Sequence, residues 1–173
     1  MKLLAALFLF VLSITLLYLP AGADDEGGVE IVVTPKVISI SVPDIVLDYN
    51  SPQTGSTDNR PSPLGFDVTN NGTANVKLQI AGSDTVGDPS GLPGWELGSA
   101  PGADTYVHRY AVGFSNPIYP GEFGIMDEVA QDFLQSLATS SSATIKLSLD
   151  MPTTTSTTET QTATVTIIAV EAP

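Results

Sequence analysis

The chain contains no cysteine among its 173 residues. That excludes disulfide staples, thiol nucleophiles, Cys-ligated zinc and iron–sulfur clusters, so a packed core or contacts with neighbours must supply the stability. Histidine is almost as scarce. His108 is the single one, which rules out a two-histidine metal site or an HExxH helix within one chain. A Ser-His-Asp triad needs only one histidine, but no G-x-S-x-G elbow accompanies it. Alternation in TYVHRYAV sets His108 with Tyr106 and Tyr110 on one face of a strand and Val107, Arg109 and Ala111 on the other, which is a structural placement. No GxGxxG or P-loop sequence offers a phosphate cradle. Carboxylate pairs for glycoside hydrolysis require one acid lifted in pKa by an apolar pocket, and spacing does not reveal that. With no catalytic constellation in the sequence, the chain is expected not to be an enzyme.

Positive charge is also in short supply, with six Lys and Arg against 19 Asp and Glu. Such a surface repels nucleic acid and anionic lipid, so neither is an expected partner. There is one long apolar run. Leu3 to Leu19, preceded by Lys2 and followed by Ala21-Gly22-Ala23, has the three parts of a secretory signal, and cleavage is predicted after Ala23, just before DDEGG. Cleavage removes one of the six basic residues and none of the 19 acidic ones, leaving a formal charge of −14. The expected location is extracellular, at the cell surface, with no membrane attachment after cleavage. The closing TATVTIIAVEAP is too short to span a bilayer and alternates like a strand.

What is abundant is Thr, Ser, Gly, Val and Ile, a β composition. Alternation places Phe66 and Val68 on one face of 64–70, with Asp67 and Thr69 opposite, and points Val76, Leu78 and Ile80 inward from 74–80. Over 143–151 the inward set is Ile145, Leu147, Leu149 and Met151; over 161–170 it is Ala163, Val165 and Ile167. Further strands are expected at 29–42, 44–49 and 104–113, the first divided or held at a sheet edge by Pro35. Seven or eight strands with turn residues between them suggest an antiparallel sandwich. One segment breaks the pattern: Met126, Val129, Ala130, Phe133, Leu134 and Leu137 follow a helical stripe after Pro120-Gly121, which predicts an inserted α-helix at about 122–138.

Asn71-Gly72 between two alternating runs predicts a two-residue type I′ hairpin, because both residues tolerate positive φ. Asn71-Gly72-Thr73 is also an N-x-T glycosylation acceptor at an exposed tip. Calcium is the only cofactor the sequence suggests. Asp24, Asp25 and Glu26 form an acidic cluster, and Asp84 and Asp88 lie in a Gly- and Pro-rich loop; these are hard oxygen ligands, though without the D-x-D-x-D-G spacing. Trp95, in GLPGWELG, reads either as a core anchor or as a sugar-stacking platform.

LGFDVTNNGTANVKLQI, Trp95 in GWEL, and SATIKLSLDMP leading into TQTATVTIIAV together resemble the immunoglobulin-like sandwich modules of prokaryotic, archaeal or bacterial, cell-surface proteins. The shared features are a V-x-N-x-G hairpin, a following Trp, and an L-x-L-x-x-P strand leading into a T-x-T-V-x-I strand, over residues 62–170. The resemblance implies an immunoglobulin-like fold and a free-standing subunit of a surface filament, such as a pilus subunit. On this reading 1–23 is the signal, 24–36 a leader and 37–173 the sandwich. VEIVV, detached by Pro35, carries Ile31, Val32 and Val33 and suits strand donation to another copy, which propagates head-to-tail as a homopolymer. The other expectation is a secreted adhesin or carbohydrate-binding module whose partner is a cell-surface polysaccharide.

Overall fold

The computed structural model describes residues 35–88, 91–113 and 115–173. The predicted signal, the acidic Asp24, Asp25 and Glu26, and the strand carrying Ile31, Val32 and Val33 lie outside the described residues. Among the described residues eleven strands follow one another: β1 (Ile40–Ser41), β2 (Gly65–Asn70), β3 (Val76–Ala81), β4 (Val86–Asp88), β5 (Glu96–Leu97), β6 (Thr105–Val112), β7 (Gly124–Ile125), β8 (Gln131–Leu137), β9 (Ser142–Asp150), β10 (Thr160–Thr162) and β11 (Thr166–Glu171). The larger sheet runs β1-β2-β9-β6-β5, with β7 also on β6; a three-stranded sheet runs β11-β3-β8; and β10 pairs β4. All these pairings are antiparallel except β5 with β6.

The core lies between the two larger sheets. Phe66 and Val68 of β2 and Ile145 and Leu147 of β9 meet Val76, Leu78 and Ile80 of β3 and Leu137 of β8 in one cluster. The side chains that alternation aimed inward from these strands are the ones buried, which is what period-2 burial of one face requires. The protein is thus mainly β and sandwich-like. The strand expected over 161–170 is interrupted: β10 joins β4, β11 joins β3, and between them Thr164 N–H donates to Ser83 Oγ at 3.0 Å. The segment 44–49 is not a strand, and Asp48 makes only an isolated bridge to Ser62.

The helix expected at about 122–138 is corrected by the structure: these residues supply β7 and β8. The physical reason is a pair of register shifts. Val76 and Leu78, two apart on β3, face Leu137 and Leu134, three apart on β8; a further shift falls between Leu78 and Gln79. A bulge inserts one extra residue and so changes the apolar spacing from two to three, which imitates a helical stripe. The members of the stripe not held by this arrangement give it away: Val129 is 75% exposed.

The type I′ hairpin at Asn71-Gly72 is likewise corrected. β2 and β3 belong to different sheets, so the chain crosses the core edge there as an arch, and neither Asn71 nor Gly72 has positive φ. The preceding residue makes the arch. Asn70 is fully buried, and its Nδ2 donates to the carbonyls of Ala74 (2.9 Å) and Leu137 (3.0 Å) while Oδ1 accepts from Gly72 N–H (2.9 Å). One amide side chain thereby substitutes for the ladder bonds the chain gives up in changing sheets.

Candidate functional site

Three places bring polar chemistry together. The first is the arch and the segment lying on it. Asn71 and Gly72 N–H both donate to Ser39 O (2.9 and 3.1 Å), and Thr73 N–H donates to Val37 O (2.9 Å). Thr73 Oγ1 accepts from Val37 N–H at 2.9 Å and donates to Pro35 O at 3.2 Å. A Cβ at position 72 would run into the carbonyl oxygen of Val37, so glycine is required by close approach and not by a left-handed turn. Lys36 pairs with Glu171 at the end of β11. Asn71 itself is exposed, while the threonine of its N-x-T triplet is occupied by residues 35–37.

The second lies around His108 on the core face of β6. His108 is 4% exposed, its Nε2 is 2.8 Å from the hydroxyl of Tyr49, and its buried Nδ1 has no partner among the described residues. Tyr49 and Tyr106 flank the ring at centroid distances of 5.8 and 6.1 Å. Burial pushes the imidazole down to about 4 and raises both tyrosine hydroxyls. The imidazole is neutral and packed between two tyrosine rings. Trp95 extends this cluster: it packs on Tyr106, Leu149 and Met151, and its Nε1 donates to Thr155 Oγ1 at 2.9 Å. Its indole N–H is used inside the protein, as a core anchor's would be.

The third lies on the opposite face of the same sheet, and the sequence did not signal it. Alternation puts Ser148 and Asp150 on the face of β9 opposite Ile145, Leu147 and Leu149, yet both are buried. Asp150 accepts from Arg109 Nε (2.9 Å), from the Tyr119 hydroxyl (3.0 Å) and from Asp58 N–H (3.2 Å). Asp58 in turn accepts from Ser148 Oγ at 3.0 Å and pairs with Arg60, whose guanidinium lies 4.8 Å from the centre of the Phe123 ring. The network fastens the segments around 58–60 and 117–123 over β6 and β9. Both of its carboxylates, Asp58 and Asp150, are engaged by groups of the same chain.

Asp84 and Asp88, the described half of the calcium reading, are not joined by a third ligand: Asp84 Oδ1 accepts from Leu97 N–H at 2.7 Å, and Asp88 lies on β4 opposite Thr160. Among the described residues no group of three His, Asp or Glu side chains is placed to hold a metal ion. The sequence also gave no sign that Asp84, Glu96 and Asp127 gather around exposed Glu128. Asp84 foremost, by its charge and a shared hydrogen bond, raises the pKa of Glu128.

Among the described residues the fold is mainly β and sandwich-like, and the clusters around Asn70, His108 and Asp150 are held by hydrogen bonds within the chain. Compared with family models, curated proteins and solved structures, the chain finds no match.

Proposed function

We propose that this is a secreted, non-enzymatic structural subunit with an immunoglobulin-like sandwich, which assembles with copies of itself into an extracellular filament or layer by exchanging a β-strand. The observation that carries the reading is the mooring of residues 35–39 on the arch by five hydrogen bonds directed at their backbone. It holds residues 35–39 on the arch, and in the sequence Pro35, which cannot continue a ladder, separates them from the leader containing Ile31, Val32 and Val33. A cysteine-free export substrate with an apolar, alternating leader gains from such an arrangement. Strand addition satisfies a row of backbone groups and needs neither a disulfide nor a metal.

The test compares residues 24–173 with the same chain lacking 24–34, by light scattering and negative-stain microscopy. The shortened protein is expected to fold, to remain monomeric and to bind a synthetic VEIVVTPKV peptide. If it polymerises as well as the longer chain, strand exchange is wrong.

A further inference from the structure

A donated strand needs an open edge, and sheet edges differ in how they are defended. Natural edges are kept from pairing by shortness, bulges, charge or proline. β1 and β5, which end the larger sheet, have two residues each, and β4 and β10 have three. β8, one edge of the three-stranded sheet, is broken by two register shifts against β3 and carries Asp132, held by Lys77 and Gln79. β11, the other edge among the described residues, has none of these defences. It is six residues long, keeps an unbroken register with β3 from Thr166 to Glu171, and carries no proline and no charge before Glu171. Its outer side chain Ile168 stands 38% exposed, while Ile167 and Ala169 pack on the core.

We infer that β11 is the acceptor edge, and that its occupant is the strand at residues 29–34 of a second copy of this chain. This rests on the strand-exchange reading above and adds the place and the register. The apolar triplet Ile31-Val32-Val33 matches the triplet Ile167-Ile168-Ala169. Setting Val32 beside Ile168 puts Ile31 and Val33 on the core side, next to Ile167 and Ala169, and covers the exposed isoleucine with a valine. This pairing holds whether the added strand runs parallel or antiparallel, because side chains alternate either way. No linker intervenes: residue 34 adjoins Pro35, so the acceptor's β11 would seat directly beside the donor's arch.

The absence of cysteine makes the test clean. In residues 24–173 carrying Val32→Cys and Ile168→Cys, a short thiol-to-thiol crosslinker is expected to give a ladder of covalent dimers and higher multimers. Either single-cysteine variant alone should give none beyond chance dimers. A second variant, Ile168→Lys, puts a charge on the outer face of the edge; it is expected to keep the melting temperature within a few degrees and to slow assembly at least about tenfold. Crosslinking confined to single chains would overturn the second copy as occupant, because the strand would then close on its own domain. If no crosslink forms while removal of 24–34 still abolishes assembly, β11 is the wrong edge and strand exchange survives. If no crosslink forms and the shortened protein assembles normally, both readings fall.

Discussion

His108 is held in its neutral form by burial: among the described residues no carboxylate faces it, its Nε2 meets the Tyr49 hydroxyl, and its Nδ1 has no partner. The consequence for stability has a definite sign. Its pKa is lowered to about 4 in the folded protein, against about 6.5 in an unfolded chain, so the unfolded state binds the proton first. The contribution is fully present above pH 6.5 and is lost as pH falls from there through 4, by up to about 3 kcal/mol. Urea unfolding is expected to show stability declining from pH 6.5 to 5, where most carboxylates have yet to titrate, and His108→Leu is expected to flatten that decline. A slope that persists in the variant would show that another group carries it. At the same scale, Asn70 shows what one residue type leaves unsaid. Asn-Gly signals a turn through tolerance of positive φ, whereas a buried asparagine bridging two carbonyls and an amide signals nothing until its neighbours are in place. The residue that makes the turn was therefore read as strand, and its neighbour as the turn.

The strands legible in the sequence are those buried on one face: β2, β3 and the first half of β9 follow alternation because solvent on the other side enforces it. Legibility failed where both faces are covered or the register shifts. Ser148 and Asp150 look solvent-facing until Asp58, Arg60 and Tyr119 are laid over them. β8 looks helical because its bulges restore a spacing of three. The two readings of 123–138 separate on mutation, since a helical stripe would bury Val129 and Leu137 alike. The structure leaves Val129 75% exposed and Leu137 6% exposed. Leu137→Ala is expected to cost about 2–5 kcal/mol in chemical unfolding and Val129→Ala less than about 0.5. Comparable losses at both positions would restore the helix. The candidate edge was half legible: the sequence marked the leader and the final strand, but that β11 lies at an edge, undefended, follows from the order of strands around β3 and from no local signal.

Charge acts on the molecule as a whole. Removing the predicted signal leaves a formal charge of −14, and among the described residues four of the five remaining cations, Lys36, Arg60, Lys77 and Arg109, are paired with carboxylates of their own chain. Two copies therefore approach each other against net repulsion, and any strand addition has to be driven by backbone pairing and apolar contact at short range. Salt tells the two contributions apart. Raising it from about 10 mM to 150 mM shortens the screening length from about 30 Å to about 8 Å, well inside the distance between approaching domains. The half-time of assembly, followed by light scattering, is expected to shorten on the order of tenfold over that range. The proposed contact of Ile31, Val32 and Val33 with β11 would be little affected, because contacts between uncharged groups are not screened. The chain lacking 24–34 should scatter no more at the higher salt than at the lower. Assembly that slows with salt would mean that copies meet through complementary charges, and the acidic excess together with the scarcity of unpaired cations argues against such a surface.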